Sequence, residues 1–163
     1  MARRVFFSFH YARDSWRVAQ VRNSWVIGRK GEASPFLDEA EWEKIKRRGK
    51  QAVQAWIEEQ LRGTSVTIVL IGRETANREW VQYEIRRSHE DKKGMFGVYI
   101  HRILDQNGRP DLQGPNPFDR YFTEVGGKRI RLSDIYPVYD WVLDDGRTNL
   151  PYWIEAAARA AGR

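Results

Sequence analysis

Ser65-Val66-Thr67-Ile68-Val69-Leu70-Ile71, stopped by Gly72, is the stretch that decides the fold. It is β-branched, apolar and short, the strongest strand signal in the chain. Upstream of it, Val53, Trp56, Ile57 and Leu61 recur at three- and four-residue steps and predict an amphipathic helix that Gly63 ends. Downstream, Asn77 is placed to cap a second helix carrying Trp80, Val81, Glu84, Ile85 and Ser88. Met95-Phe96-Gly97-Val98-Tyr99-Ile100 then reads as a further strand.

The same alternation extends to both ends. Arg4-Val5-Phe6-Phe7-Ser8-Phe9 is a nearly continuous apolar run, the pattern of a buried central strand in a parallel sheet. Asp14 is expected to cap a helix with Val18, Val21 and Trp25 on one face. Gly28 to Pro35 reads as loop, Pro35-Phe36-Leu37-Asp38 as a short second strand, and Glu39 to Gly49 as a charged loop segment around Trp42. Residues 105–130 hold Asn-Gly, Arg-Pro, Gly-Pro and Gly-Gly pairs and read as an irregular insertion. Ile135 to Tyr139 fits an edge strand, since Pro137 cannot donate to a ladder. Asn149 is expected to cap a last helix with Pro151 in its first turn. Strands alternating with helices predict an α/β fold with an open, mainly parallel five-stranded sheet covered on both faces. The flavodoxin-like order 2-1-3-4-5 is the economical topology, in a single domain over residues 1–163.

Composition narrows the function classes. The 163 residues include no Cys, which removes disulfides, thiolate nucleophiles and Cys-based metal sites. His10, His89 and His101 show no metal-ligand spacing, and His89 is expected to be solvated on its helix, so no metal is assigned. A P-loop and a nucleophile elbow are both absent. No run approaches the ~18 apolar residues that cross a bilayer, so the chain is expected to be soluble and cytoplasmic. The net charge of +6 favours phosphate-bearing partners without selecting one. Basic residues interleave with acids and no stacking platform is evident, which ranks nucleic acid last among the partners. Lys44 to Lys50 reads as a solvated loop and helix start, or as a phosphate contact if its side chains converge on one ligand. Gly126-Gly127-Lys128-Arg129 reads as a turn.

In open α/β sheets ligands bind beyond the carboxyl ends of the strands, where strand order reverses. That rule collects Ser8, Phe9, His10 and Tyr11 after the first strand and Gly72 to Asn77 after the third, with 39–49 overhanging the same edge. Trp80, Glu84 and Ser88 share one face of the following helix. A carboxylate beside an indole is partly desolvated, which suits an acid or base. Spacing equally allows a surface ion pair of Glu84 with Arg87.

The segments Arg4–Tyr11, Val21–Trp25, Thr64–Thr67, Val69–Gly72, Arg78–Ile85, Gly114–Asp119 and Val138–Val142 together resemble the TIR-like proteins of the bacterial Thoeris anti-phage system. The resemblance runs in order along nearly the whole chain. It implies a TIR fold and an enzyme that consumes NAD, releases nicotinamide and makes a cyclic ADP-ribose isomer that activates a partner effector protein. It implies Glu84 as the catalytic residue and Phe6 as an aromatic residue that matters on the first strand. With Ser8, His10, Tyr11, Trp42 and Trp80 these form the expected substrate site, with NAD as substrate and no cofactor. TIR domains often act when assembled, and loop 39–49 is the expected self-contact. The chain is shorter than the fullest family members after Phe122, which opens simple hydrolysis as an outcome. A non-catalytic TIR-like adaptor, acting through loop 39–49 alone, is the rival reading.

Overall fold

This computed structural model describes residues 3–35, 37 and 39–163. Strand β3 (Val66–Ile71) is buried at all six positions. It pairs in parallel with β1 (Arg4–Ser8) on one edge and β4 (Gly94–Tyr99) on the other. Val5 stands opposite Val66, Ser8 opposite Val69 and Ile71 opposite Tyr99. The two-residue β2 (Glu32–Ala33) flanks β1, and β7 (Val138–Asp140) flanks β4, giving the order β2-β1-β3-β4-β7. This is the predicted 2-1-3-4-5 sheet, with a separate hairpin inserted before its last strand.

Helices α1 (Ser15–Val26) and α5 (Gly146–Ala160) send Val18, Val21, Leu150 and Ile154 into the main core with Val5, Phe7, Ile68 and Leu70. On the alternate side chains of the sheet, Val81 and Ile85 of α4 (Glu79–Glu90) meet Val69, Ile71 and Met95. Helices α2 (Glu39–Lys46) and α3 (Lys50–Leu61) add Trp42, Val53, Ile57 and Leu61 to the main core. Ile68, Val69, Leu70 and Ile71 are fully buried, each worth about 1.5–3 kcal/mol relative to exposure. No helix among the described residues is long and apolar enough to cross a membrane.

Several local readings are corrected. The second strand is Glu32–Ala33 rather than 35–38: Arg4 pairs with Glu32, Val5 with Ala33, and Ser34 N–H closes on Val5 O at 3.0 Å. Pro35 has no N–H to continue that ladder. Phe36 and Asp38 of the predicted strand lie outside the described residues. Most of 39–49 is helix, not loop. Glu39 and Glu41 in its first turn and Lys44 and Lys46 in its last complement the helix dipole, and Trp42 anchors it. The insertion is not wholly irregular: β5 (Phe122–Val125) and β6 (Lys128–Arg131) form an antiparallel hairpin. Its turn is Gly126-Gly127, both at positive φ, as a tight hairpin turn requires. The edge strand starts at Val138, after a 3-10 turn at Leu132–Asp134, rather than at Ile135.

None of the three expected caps forms through its side chain. Asp14 sits at the start of α1 but turns to Arg13 and Thr75. Asn77 ends a 3-10 turn at Thr75–Asn77 and accepts from Arg120 at 2.5 Å. Asn149 lies inside α5, which starts at Gly146, so Pro151 falls beyond the first turn.

The start of the insertion is tied down on the carboxyl ends of β1 and β3. Arg13 bridges Glu74 at 2.8 Å and Asp111 at 2.5 Å. Arg17 donates to Ile103 O at 2.7 Å and Arg109 O at 3.0 Å. Gly114 lies so close to the backbone of Gly72 and Arg73 that a Cβ there would overlap their carbonyl oxygens. Gly114→Ala is therefore expected to lower the unfolding free energy by about 1–3 kcal/mol, read from urea denaturation.

Candidate active site

The carboxyl ends of β1 and β3 lie side by side, and strand order reverses there. The chain leaves β1 as Phe9-His10-Tyr11-Ala12, and after β3 it passes through the Thr75–Asn77 turn into α4. Between these segments and α2 lies a cleft of about 400 Å³ whose walls include His10, Tyr11, Trp42, Lys46, Arg78 and Trp80. Tyr11 stacks on Trp42 at 4.7 Å between ring centroids, and both touch Trp56 edgewise or tilted. Trp80 meets Tyr83 edge-on at 5.8 Å.

Cationic side chains are interleaved with these rings. Arg78 Nη1 lies 3.4 Å from His10 Nε2. Burial, then the Arg78 charge, pushes the His10 imidazole below its ordinary range, so it is neutral near pH 7. Its Nδ1 is buried and has no hydrogen-bond partner among the described residues. Lys46 lies over Trp42 at 5.9 Å from the ring centroid and also pairs with Glu43 at 2.6 Å.

One step inward along the same two elements, Ser8 Oγ donates to Glu84 Oε1 at 2.7 Å. Both residues are 0% exposed. Glu84 Oε2 is buried with no partner among the described residues. Desolvation pushes the Glu84 carboxyl up to about 8, and the Ser8 hydrogen bond opposes part of that rise. Burial pushes the Tyr11 phenol well up, and the Glu84 charge adds to it. The surface-pair reading of Glu84 fails on geometry: Arg87 turns instead to Glu90 at 3.1 Å, Asp91 at 3.5 Å and Glu58 at 3.6 Å.

The predicted residues therefore separate into groups. His10, Tyr11, Trp42 and Trp80 line the cleft, while Ser8 and Glu84 form a buried pair that is not part of its lining. Phe6 stands apart: it is fully buried on β1 opposite Thr67 and presents no face to a ligand in this conformation. Arg78 and Lys46 join the predicted residues in the lining, Lys46 from the Lys44 to Lys50 cluster offered above as a phosphate contact. Their signal was position, Arg78 directly before the helix that carries Glu84 and Lys46 one turn after Trp42. His89 is not solvated as expected; its ring nitrogens face Tyr136 Oη at 2.6 Å and Thr123 Oγ1 at 3.1 Å. It borders a second cavity, about 420 Å³ and mainly apolar, at the amino end of β4, remote from every predicted site residue.

A carboxyl with a raised pKa leaves a signature in stability. Between about pH 4.5 and 8 the folded chain keeps a proton on Glu84 that the unfolded chain has released. Folding stability then falls as pH rises through that window and levels above it. Glu84→Gln lacks this term. Its melting temperature relative to wild type is expected to climb from pH 5 to pH 8.5, as read by thermal scans across pH.

Two comparisons bear on what this arrangement is. The TIR-like domain model of the Thoeris protein ThsB matches residues 6–104, the span that holds every residue placed at the cleft or in the buried pair. A protein of Bacillus cereus (strain MSX-D12) named "Putative cyclic ADP-D-ribose synthase ThsB1" is 36% identical over 191 residues, a match covering 94% of this chain and 100% of that protein. With the sheet order, the family match and the near full-length relative in agreement, the chain belongs to the TIR-like domain family of the Thoeris protein ThsB.

Proposed function

We propose that this chain cleaves the nicotinamide–ribose bond of NAD and converts the ADP-ribosyl part into a cyclic ADP-ribose-type signal in anti-phage defence. The observation that carries this reading is Glu84: a fully buried carboxyl with one uncommitted oxygen, on the helix whose start lines a cleft of aromatic and cationic side chains. Tyr11, Trp42 and Trp80 are suited to the flat rings of a dinucleotide. His10, Arg78 and Lys46 are suited to its diphosphate. Because Glu84 has no exposed surface, substrate contact with it requires the side chains packed over it to move.

The chemistry follows from charge. Breaking the bond to nicotinamide builds an oxocarbenium-like centre on the ribose. A carboxylate in a site that excludes water stabilises that centre strongly, the logic glycosidases use. Nicotinamide departs neutral, so no strong general acid is required. In the empty site Glu84 is mostly protonated at pH 7. The positive nicotinamide ring favours its ionised form, so binding releases the proton and prepares the anion when it is needed. Cyclisation requires that a second nucleophile of the same substrate reach the ribose before water does.

The chain is proposed to act in the cytoplasm, with a partner effector protein that responds to the nucleotide product. Self-assembly is proposed through α2 and the turn after it, where Glu39, Glu41, Lys44, Arg47 and Arg48 are exposed. A non-catalytic adaptor acting through that charged face is the second reading, favoured by the complete burial of Glu84.

Incubation with NAD and chromatography of the products separates the two. The enzyme is expected to release nicotinamide, and Glu84→Gln to lower the rate by roughly 10²–10³-fold. Equal rates in the two proteins would remove Glu84 from the reaction, and no nicotinamide release at high protein concentration would favour the adaptor. kcat/KM reports the free protein, and the ionised carboxylate is the active form. It is therefore expected to rise about tenfold per pH unit and to level near the Glu84 value of about 8.

A further inference from the structure

The Ser8 hydroxyl proton is committed within the protein itself. It donates to Glu84 Oε1 at 2.7 Å across the seam between β1 and α4. Ser8 has no exposed surface, so it offers nothing to a molecule in the cleft. Its backbone is the last residue of β1 and stands opposite Val69 in the sheet. A donor mounted on a central strand is held more firmly than one on a loop.

We propose that Ser8 is a positioning residue for Glu84: its hydroxyl holds Oε1, fixes the plane of the carboxyl group and leaves Oε2 as the oxygen that meets the ribose. This rests on the reading of Glu84 as the reacting carboxylate. Three observations converge on it. Oε2 is the oxygen that lacks a partner among the described residues. The other hydroxyl on this face of α4, Ser88, is engaged with Thr67 Oγ1 at 2.7 Å and is not available to replace Ser8. No cation pairs with Glu84 among the described residues.

The surroundings make the Ser8 bond matter. Tyr11, from the segment after β1, is the titratable neighbour that feels the Glu84 charge. Arg87 on α4 is held by Glu58 of α3 and by Glu90 and Asp91. His10 titrates against Arg78, Glu74, Arg13 and Lys46. From β3, Thr67 and Val69 bring no charge. Burial pushes the carboxyl up, and the Ser8 bond is what opposes it. A hydrogen bond to the charged form favours that form. Removing it leaves burial uncontested.

The test compares Ser8→Ala, Ser8→Cys and Ser8→Thr in the full chain. Cysteine keeps the volume with a poor donor, and threonine keeps the hydroxyl. Glu84 is titrated by carbon-13 NMR of glutamate-labelled protein, its resonance assigned by its loss in Glu84→Gln. The alanine and cysteine variants are expected to raise the Glu84 midpoint by about one pH unit, and threonine to stay near wild type. The limb of kcat/KM for NAD is expected to move by the same amount. At pH 7, below the midpoint, kcat/KM is expected to fall about tenfold. An unchanged midpoint in both the alanine and cysteine variants overturns the proposal. So does a cysteine variant that matches wild type in midpoint and kcat/KM, which makes Ser8 a space-filler. If the midpoints shift but no protein, wild type included, releases nicotinamide, the coupling stands and the reading of Glu84 as the reacting carboxylate falls.

Discussion

A carboxyl group closed between β1 and α4 is the constraint on which the rest of the site turns. Removing Glu84 from water is costly for its charged form, and among the described residues the Ser8 hydroxyl is what offsets the cost. The protein accommodates it as a mostly neutral acid at rest. A surface carboxylate would be ionised throughout and screened by solvent. A buried one is held back and then strongly felt by whatever positive charge comes near. The fold provides this arrangement because β1 and β3 are locked in register at the centre of the sheet, and α4 lies across both.

The cleft is organised by different forces. Tyr11, Trp42 and Trp56 hold one another by ring contacts and pin α2 to the body of the molecule. That pinning lets a helix with a largely charged surface stay in place. His10 and Arg78 sit at hydrogen-bonding distance with the imidazole kept neutral, so the pair acts as one cation with a polarisable neighbour. The start of the insertion is fastened by Arg13 and Arg17, and further along Phe118 is fully buried against Val69 and Ile71. The arginine contacts are directional, and they fix where the loop lies.

The sheet was legible in the sequence because its signals are strong and local. β3 is one unbroken apolar run, and the helix before it has clean periodicity ended by Gly63, which sits at positive φ. Elements that depend on a distant partner were not legible. β2 is two residues long and exists because β1 offers it an edge. Helix α2 has a single buried anchor, Trp42, and too little apolar pattern to announce itself. Glu84 shows the same limit in the site. Spacing revealed its helical neighbours Trp80, Ser88 and Arg87, but Ser8 enters only through the sheet. The resemblance pointed to Glu84 without saying what holds it. Strand alternation places Phe6 on the same sheet face as Ser8, one step deeper in the core.

The Ser8–Glu84 bond spans 76 positions of chain. It also needs a parallel pairing that no short turn can make. A growing polypeptide therefore carries no closed site while only its first half exists. Glu84, once synthesised but not yet packed, is an ordinary solvated carboxylate with ordinary acidity. The group acquires its unusual character in the step that joins the amino-terminal strand to the middle of the sheet. Under the proposed reading, a chain that stalls, misfolds or is clipped between these two residues cannot consume the cell's NAD. The competence of the site and the integrity of the fold are one event.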